Sequence, residues 1–135
     1  MMNGSFLNNT GGKNAILKKQ IIALCVNEGD YSIADLSKEL STSIPTITKL
    51  VGELIEEGFI VDMGKQGTNG GRRPSIYGLN PSAGYFVGID VRKENIGIAV
   101  TNFKGQIVDV TIEYPFILRN SEESLKELCE TVKDH

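Results

Sequence analysis

The sequence is poor in the residues from which catalytic and metal sites are usually built. Its single histidine is the terminal His135, and its two cysteines, Cys25 and Cys129, lie far apart and belong to no CxxC pair or Cys/His cluster. These absences argue against a zinc site, a disulfide framework and a Ser-His-Asp or Cys-His catalytic group. We therefore expect no catalytic residue, no metal ligand and no cofactor, and two small buried cysteines in a reducing cytosol.

Long apolar runs are absent as well. The stretch from Met1 to Asn14 has no apolar core of the kind found in signal peptides. No segment approaches the ~20 apolar residues that a helix needs to cross a bilayer. We expect a cytoplasmic protein with no membrane partner.

The chain also lacks the positive charge that many nucleic-acid binders carry. Its formal net charge is −3, with eight basic and eight acidic residues in 1–80 and six basic and nine acidic residues in 81–135. A neutral N-terminal part predicts modest non-specific affinity for DNA from a single copy. Dimerisation through the residues after position 80 would then matter for binding.

The clearest pattern in the chain runs from Ser32 to Pro74. Ser32 and Asp35 approximate a capping box at the start of a short helix, and the hydroxyl residues of 41–43 interrupt the apolar periodicity before a second helix. Two helices about four residues apart are typical of a helix-turn-helix, and a helix over 13–28 is predicted to pack behind them. The apolar stripe of the second helix is Ile47, Leu50, Val51, Leu54 and Ile55. Lysines near the start of the first helix either touch phosphates or are solvated; they are Lys13, Lys18 and Lys19.

The two halves of the second helix differ in charge. Ser43 to Gly52 holds one lysine, several hydroxyls and no acid, whereas three glutamates follow as far as Glu57. Because carboxylates repel a duplex, only the N-terminal half can approach phosphates and base edges, as it does in recognition helices. Thr46 and Thr48 can bond to phosphate or base edges, and Lys49 can reach a phosphate or a guanine. A helical hairpin with a solvated polar face is the alternative.

A glycine-rich loop follows this helix. Strands are predicted over 59–63 and 75–79, and the loop between them contains Lys65, Arg72 and Arg73 and no acid. Arginine suits a narrow minor groove because of the enhanced negative potential there. A solvated hairpin with ordinary surface arginines is the alternative. The residues predicted to bind DNA are Ser43, Thr46, Thr48, Lys49, Lys65, Arg72 and Arg73.

The pattern changes after Asn80, where Pro and Gly bracket small residues. Three strands separated by hairpin-length turns predict an antiparallel meander, and Ser121 is predicted to cap a last helix whose apolar side is Leu125, Leu128, Cys129 and Val132. The predicted strands span 85–91, 95–101 and 106–114. The predicted organisation is a mobile N-terminus over 1–12, a winged helix-turn-helix over 13–80, a linker over 81–84 and a second domain over 85–135.

Two blocks of the sequence resemble the repressor branch of the ROK family (repressors, open reading frames and sugar kinases). They are SIADLSKELSTSIPTITKLVGELIEEGFIV and GGRRPSIYGLNPSAGYFVGIDV. The helix-turn-helix block is shared with many regulators, whereas a GGRRP wing followed closely by a VGID strand is more specific. The resemblance covers about Lys13 to Asp109. It implies an α+β chain in which a winged helix-turn-helix precedes an incomplete actin-like (ribonuclease H-like) β-meander plus helix, the truncated first lobe of the ROK body.

The resemblance also implies a function. It gives Thr46, Thr48 and Lys49 the recognition-helix role and Arg72 and Arg73 the wing role. The chain would be a sequence-specific DNA-binding regulator, a repressor of carbohydrate-utilisation genes that binds double-stranded DNA as a homodimer. A sugar or sugar-phosphate effector is expected only in a full-length version.

Enzymatic activity is not expected. ROK kinases carry a glycine-threonine turn after an aspartate of the first hairpin, whereas Arg92-Lys93-Glu94 follow closely on Asp90 here. Charged side chains stand where a backbone would need to approach a phosphate. A winged-helix protein-interaction module and a degenerate sugar-kinase fragment are the remaining alternatives. Since one helix covers only one face of the meander, the other face is predicted to pair with a second copy or to be poorly ordered.

Overall fold

The chain folds as two compact units that are divided between Ala83 and Gly84. The computed structural model describes residues 12–65 and 74–134. Within these ranges the first unit contains three α-helices and a three-stranded sheet, and the second contains a three-stranded sheet and one α-helix. The predicted α+β class is confirmed. The predicted mobile N-terminus lies outside the described residues, apart from Gly12.

Three helices form the body of the first unit. They are α1 (Lys13–Asn27), α2 (Ile33–Glu39) and α3 (Ile44–Glu56). The predicted capping box of α2 is present: Ser32 Oγ accepts a hydrogen bond from the Asp35 backbone at 3.1 Å, and the Asp35 carboxylate accepts one from the Ser32 backbone at 3.4 Å. Two donors that would otherwise be unsatisfied at the helix start are thereby paired.

The turn between α2 and α3 is held by hydroxyl groups. Ser37 Oγ donates to the carbonyl of Thr42 at 2.5 Å, and Thr42 Oγ1 donates to the carbonyl of Leu40 at 2.9 Å. Ser41 has a positive φ of 47°, which lets the chain reverse over few residues. At the far end of α3, Gly58 has a φ of +82°, and Phe59 N–H bonds back to the Leu54 carbonyl at 2.9 Å. The left-handed glycine stops the helix and turns the chain into the sheet.

The sheet of the first unit has the order β1-β3-β2 and is antiparallel. Its strands are β1 (Tyr31–Ser32), β2 (Ile60–Lys65) and β3 (Ser75–Leu79). The sequence predicts that β2 ends at residue 63. In the structure, its pairing with β3 continues past an irregularity in register to Lys65, which lies opposite Ser75. Lys65 is therefore a strand residue rather than a loop residue, and the glycine-rich segment begins and ends at paired positions.

The core of the first unit lies where the helices meet this sheet. The buried apolar residues are Leu17, Ile21, Cys25, Leu36, Ile47, Leu50, Val51, Leu54, Phe59, Ile60 and Leu79. Burying each large side chain stabilises the fold by about 2 kcal/mol. Ile55, which the helical spacing placed on the buried stripe, is 38% exposed, because it lies at the margin of the apolar side of α3. Pro81–Ala83 form a single 3-10 turn after β3, and Ala83 is buried.

The second unit is the predicted meander followed by a helix. Its strands are β4 (Tyr85–Val91), β5 (Asn95–Asn102) and β6 (Ile107–Pro115), in the order β4-β5-β6. Helix α4 (Glu122–Lys133) begins at Ser121, whose hydroxyl accepts a hydrogen bond from Ser124 N–H at 3.2 Å. Ile96, Ile98 and Phe116 form a small buried cluster, against which Leu128 and Val132 pack.

Much of the apolar surface of the second unit stays exposed. Every residue of β4 is exposed, and Ile107 and Ile112 of β6 are 70% and 71% exposed. Cys129 is exposed and Leu125 is 57% exposed, so the prediction of a buried Cys129 is wrong. Leu128 and Val132 are the side chains of α4 that pack against the small cluster, and Cys129 lies outside it.

Candidate nucleic-acid interface

The N-terminal half of α3 presents four of the predicted side chains. Ser43, Thr48 and Lys49 are exposed and Thr46 is half-buried. Ser43 occupies the N-cap position, but its hydroxyl makes no cap bond and instead lies 2.9 Å from Thr46 Oγ1. Thr48 Oγ1 donates to the Ile44 carbonyl at 2.8 Å. The hydroxyl oxygens keep lone pairs for further hydrogen bonds, so this surface can contact phosphates or base edges.

Lys49 is the cation of this surface. Its side chain is 68% exposed, and its Nζ lies 3.9 Å from Glu53 Oε1 one helical turn further on. An exposed lysine-glutamate pair at this spacing contributes only about 0.3–0.5 kcal/mol. The ammonium group is therefore held loosely and can reach a phosphate.

Lys18 does not belong to the exposed surface, contrary to both of the roles considered for it, contact with phosphate and solvation. It is 7% exposed, and its Nζ lies 2.7 Å from Glu53 Oε2 and 2.6 Å from Glu57 Oε1. Burial lowers the pKa of Lys18, but the two hydrogen-bonded carboxylates raise it by more, so the pKa is raised overall. The same ammonium group lowers the pKa of Glu53. Lys18 thus ties α1 to the acidic end of α3 and neutralises part of its charge.

The base of the wing lies beside the start of α3. A cleft of about 390 Å³ is lined by Lys65 at the end of β2, Pro74 before β3, and Ile44 in the first turn of α3. Lys65 is exposed there. The structure therefore places Lys65 beside the first turn of α3. Arg72 and Arg73 precede Pro74 in the chain but lie outside the described residues.

Residues 12–65 and 74–134 contain no group of three or more His, Cys, Asp or Glu side chains that could hold a metal ion. Among the same residues, no helix has both the length and the apolar character needed to span a bilayer.

Comparison with known proteins finds several to which this chain is similar. Residues 16–61 match the family described as winged helix-turn-helix DNA-binding. The chain is 34% identical over 100 residues to the xylose repressor of Caldicellulosiruptor bescii, covering 70% of this chain and 25% of that protein. It is 31% identical over 111 residues to the xylose repressor of Bacillus subtilis, covering 82% of this chain and 28% of that protein. The chain thus spans about a quarter of the length of these relatives.

A solved structure extends the likeness beyond the winged helix. It is a ROK family transcriptional regulator described as a homologue of the E. coli MLC protein, and it matches with a TM-score of 0.61 and 21% identity. The match covers 88% of this chain and 31% of that one, so the fold is shared through both units. The chain is similar to ROK regulators over both of its units. The predicted resemblance and the predicted fold are both confirmed.

The winged-helix segment that matches the family includes Thr46, Thr48 and Lys49 but ends before Lys65. The proposed base-contacting helix therefore lies inside the family match, whereas the wing residues lie beyond it. The DNA-contacting role of each side chain stays a prediction.

Two residues of the site escaped the sequence reasoning. Ile44 is 55% exposed and lines the cleft beside the wing, although an isoleucine at a helix start usually indicates core. Lys18 was grouped with two other lysines, although at 100° per residue it lies within about 20° of the buried Cys25 around α1. That angular position was a signal that Lys18 faces inward.

Proposed function

We propose that this chain binds double-stranded DNA through the N-terminal half of α3 and the adjoining wing, and that it represses carbohydrate-utilisation genes. The observation that carries the proposal is the exposed, acid-free face of the segment Ser43 to Gly52, which lies beside the wing base at Lys65 and Pro74. A recognition helix enters the major groove with its N-terminal residues. Thr46, Thr48 and Lys49 would contact bases and phosphates, and Arg72 and Arg73 would extend the contact along the duplex.

The named relatives support the choice of target. Both are called xylose repressors, so genes for xylose use are the first candidates. Because the chain spans about a quarter of those proteins, a sugar or sugar-phosphate effector would bind in parts that a longer version supplies. A cytoplasmic location belongs to the same proposal, because the DNA is there.

Repression would require two copies. A neutral winged helix supplies few phosphate contacts, so a single copy has modest affinity, whereas two recognition helices on successive grooves combine theirs. The exposed apolar side chains of β4 and β6 support association of the second unit with another copy, since large exposed apolar patches commonly mark interfaces. A homodimer that occludes an operator follows from these two points.

We infer that the chain itself performs no kinase chemistry. The relatives are named as repressors. Arg92 Nε donates to Asp90 Oδ2 at 2.9 Å. Asp90, the aspartate that would contact a phosphate-bound cation in a kinase, is therefore paired with an arginine that directly follows β4.

Selection of bound duplexes from a random pool tests the function. We expect wild-type protein to enrich a two-fold symmetric sequence. We expect the Arg72→Ala plus Arg73→Ala variant to bind the selected duplex more weakly, and the Lys126→Ala variant, altered on α4, to bind it like the wild type. Absence of any enriched sequence would contradict DNA binding and favour a winged helix that docks proteins.

A further inference from the structure

Glu53 lies between two lysines, one buried and the other exposed. Its Oε2 atom is 2.7 Å from the buried Lys18 and its Oε1 atom is 3.9 Å from the exposed Lys49. The side chain of Lys18 is 9% exposed and that of Lys49 is 68% exposed. The Glu53 carboxylate therefore contacts the buried Lys18 closely and the exposed Lys49 only loosely.

Glu57 strengthens the hold of Lys18 on this end of α3. Lys18 Nζ donates to Glu57 Oε1 at 2.6 Å, while Glu57 Oε2 is buried with no hydrogen-bond partner among the described residues. A partly buried carboxylate in this position depends on its one cation. Lys18 is therefore fixed by two acids, and Glu53 is fixed with it.

We propose that Lys18 is a positioning residue that occupies the Glu53 carboxylate and thereby leaves the Lys49 ammonium group available for DNA phosphate. Without Lys18, Glu53 would turn to Lys49, its neighbour at i−4, and the resulting pair would compete with the duplex for the same cation. Lys18 would thus act on DNA affinity without touching DNA. This inference rests on the proposed function, because it needs Lys49 to contact phosphate.

A double-mutant cycle on the duplex selected above tests the inference. We expect Lys18→Met to weaken binding about twofold, the factor that an exposed lysine-glutamate pair at this spacing can supply, and Lys49→Ala to weaken it more. In the Lys49→Ala background, Lys18→Met should leave affinity unchanged, because the cation it protects is gone. Glu53→Gln in the Lys18→Met background should restore affinity to near that of the wild type.

The possible outcomes distinguish a failure of the inference about Lys18 from a failure of the proposed DNA binding. If Lys18→Met weakens binding equally with and without Lys49, or if Glu53→Gln gives no rescue, Lys18 serves only the fold and the inference is wrong. If the wild type binds no duplex, the proposed function fails first.

A measurement on the wild type avoids any folding defect of the variants. In NMR spectra of protein with ¹⁵N-labelled lysine, added duplex should shift the Lys49 ammonium signal and leave that of Lys18 in place. A direct shift at Lys18, or none at Lys49, would overturn the inference.

Discussion

Gly78 shows how a single missing side chain shapes the sheet of the first unit. It lies on β3 opposite Val61, and a Cβ placed there would meet Asp30 Oδ1 at 2.0 Å. No real Cβ contact is this short, so either Asp30 or the strand would have to move. The sequence marks Gly78 only as a weak strand residue, because the position of Asp30 depends on how β1 pairs with β3.

We expect Gly78→Ala to lower the free energy of unfolding by about 1–3 kcal/mol through overpacking. Chemical denaturation measures the change. Gly97→Ala is the matched control, because its Cβ would meet its nearest atom, Asp90 Cβ, at an ordinary 3.7 Å. In an Asp30→Ala background, Gly78→Ala should lose most of its destabilising effect. If Gly78→Ala still destabilises the fold in that background, the close contact with the Asp30 carboxylate is not the cause.

The pair of Lys18 and Glu53 makes stability depend on pH in a defined direction. Because the folded pKa of Lys18 is raised above 10.5, its contribution is complete below that pH and is lost as pH rises through the folded value. Because the folded pKa of Glu53 is lowered below 4.5, its contribution is present above that pH and is lost as pH falls through the folded value. The pair therefore stabilises the fold most between these limits.

We expect Lys18→Met to reduce the free energy of unfolding at neutral pH by about 1–3 kcal/mol, because it leaves two acids without their cation. The difference from the wild type should shrink when denaturation is repeated at a pH below the lowered pKa of Glu53, where this carboxyl group is protonated in both proteins. The exposed Lys13→Met variant serves as control and should differ little from the wild type at any pH. A pH-independent loss for Lys18→Met would mean that packing, not charge, is responsible.

At the scale of elements, local signals located most of the helices and strands. These signals span only a few residues each: the pair Ser32 and Asp35, the apolar spacing within α3, and the alternation in β4 to β6. The predicted ends of the elements agree with the structure to one or two positions. The strand β1 escaped because two residues, Tyr31 and Ser32, show no period. Which apolar residues are buried was harder: Ile55 and Leu125 have helical spacing but lie at margins that only tertiary packing defines.

Two serines at helix starts offer a comparison that sequence alone could not make. Ser32 and Ser43 both occupy N-cap positions, but only Ser32 accepts a cap hydrogen bond. We expect Ser32→Ala to lower the free energy of unfolding by about 1 kcal/mol. Ser43→Ala should cost clearly less in thermal or chemical unfolding and should act on DNA affinity instead. Equal losses of stability would contradict the assignment of the cap.

At the scale of the whole molecule, composition and charge bounded the class of protein but did not locate its interactions. The net charge of −3 does not indicate a DNA-binding surface. The basic and acidic side chains occupy different parts of the first unit only once α3 has folded and Lys18 is buried against Glu53 and Glu57. The exposure of β4 and β6 was foreseeable in outline, since one helix cannot cover both faces of a sheet. Its extent, which includes β4 from end to end, was not.

We expect the exposed strands to drive self-association. Replacing Ile107 and Ile112 of β6 with lysine should shift sedimentation towards the monomer without loss of stability, because both side chains are about 70% exposed. Ile16→Lys on α1, at a site 57% exposed, is the control and should leave association unchanged. A wild type that sediments only as a monomer would contradict the pairing.

The salt dependence of DNA binding tests the central claim most directly. We expect the logarithm of the association constant of the wild type for its selected duplex to fall linearly with the logarithm of salt concentration. Lys49→Ala should reduce that slope by about one, since one phosphate contact is lost, and Lys126→Ala should not change it. An unaltered slope and affinity for Lys49→Ala would show that α3 does not face the duplex.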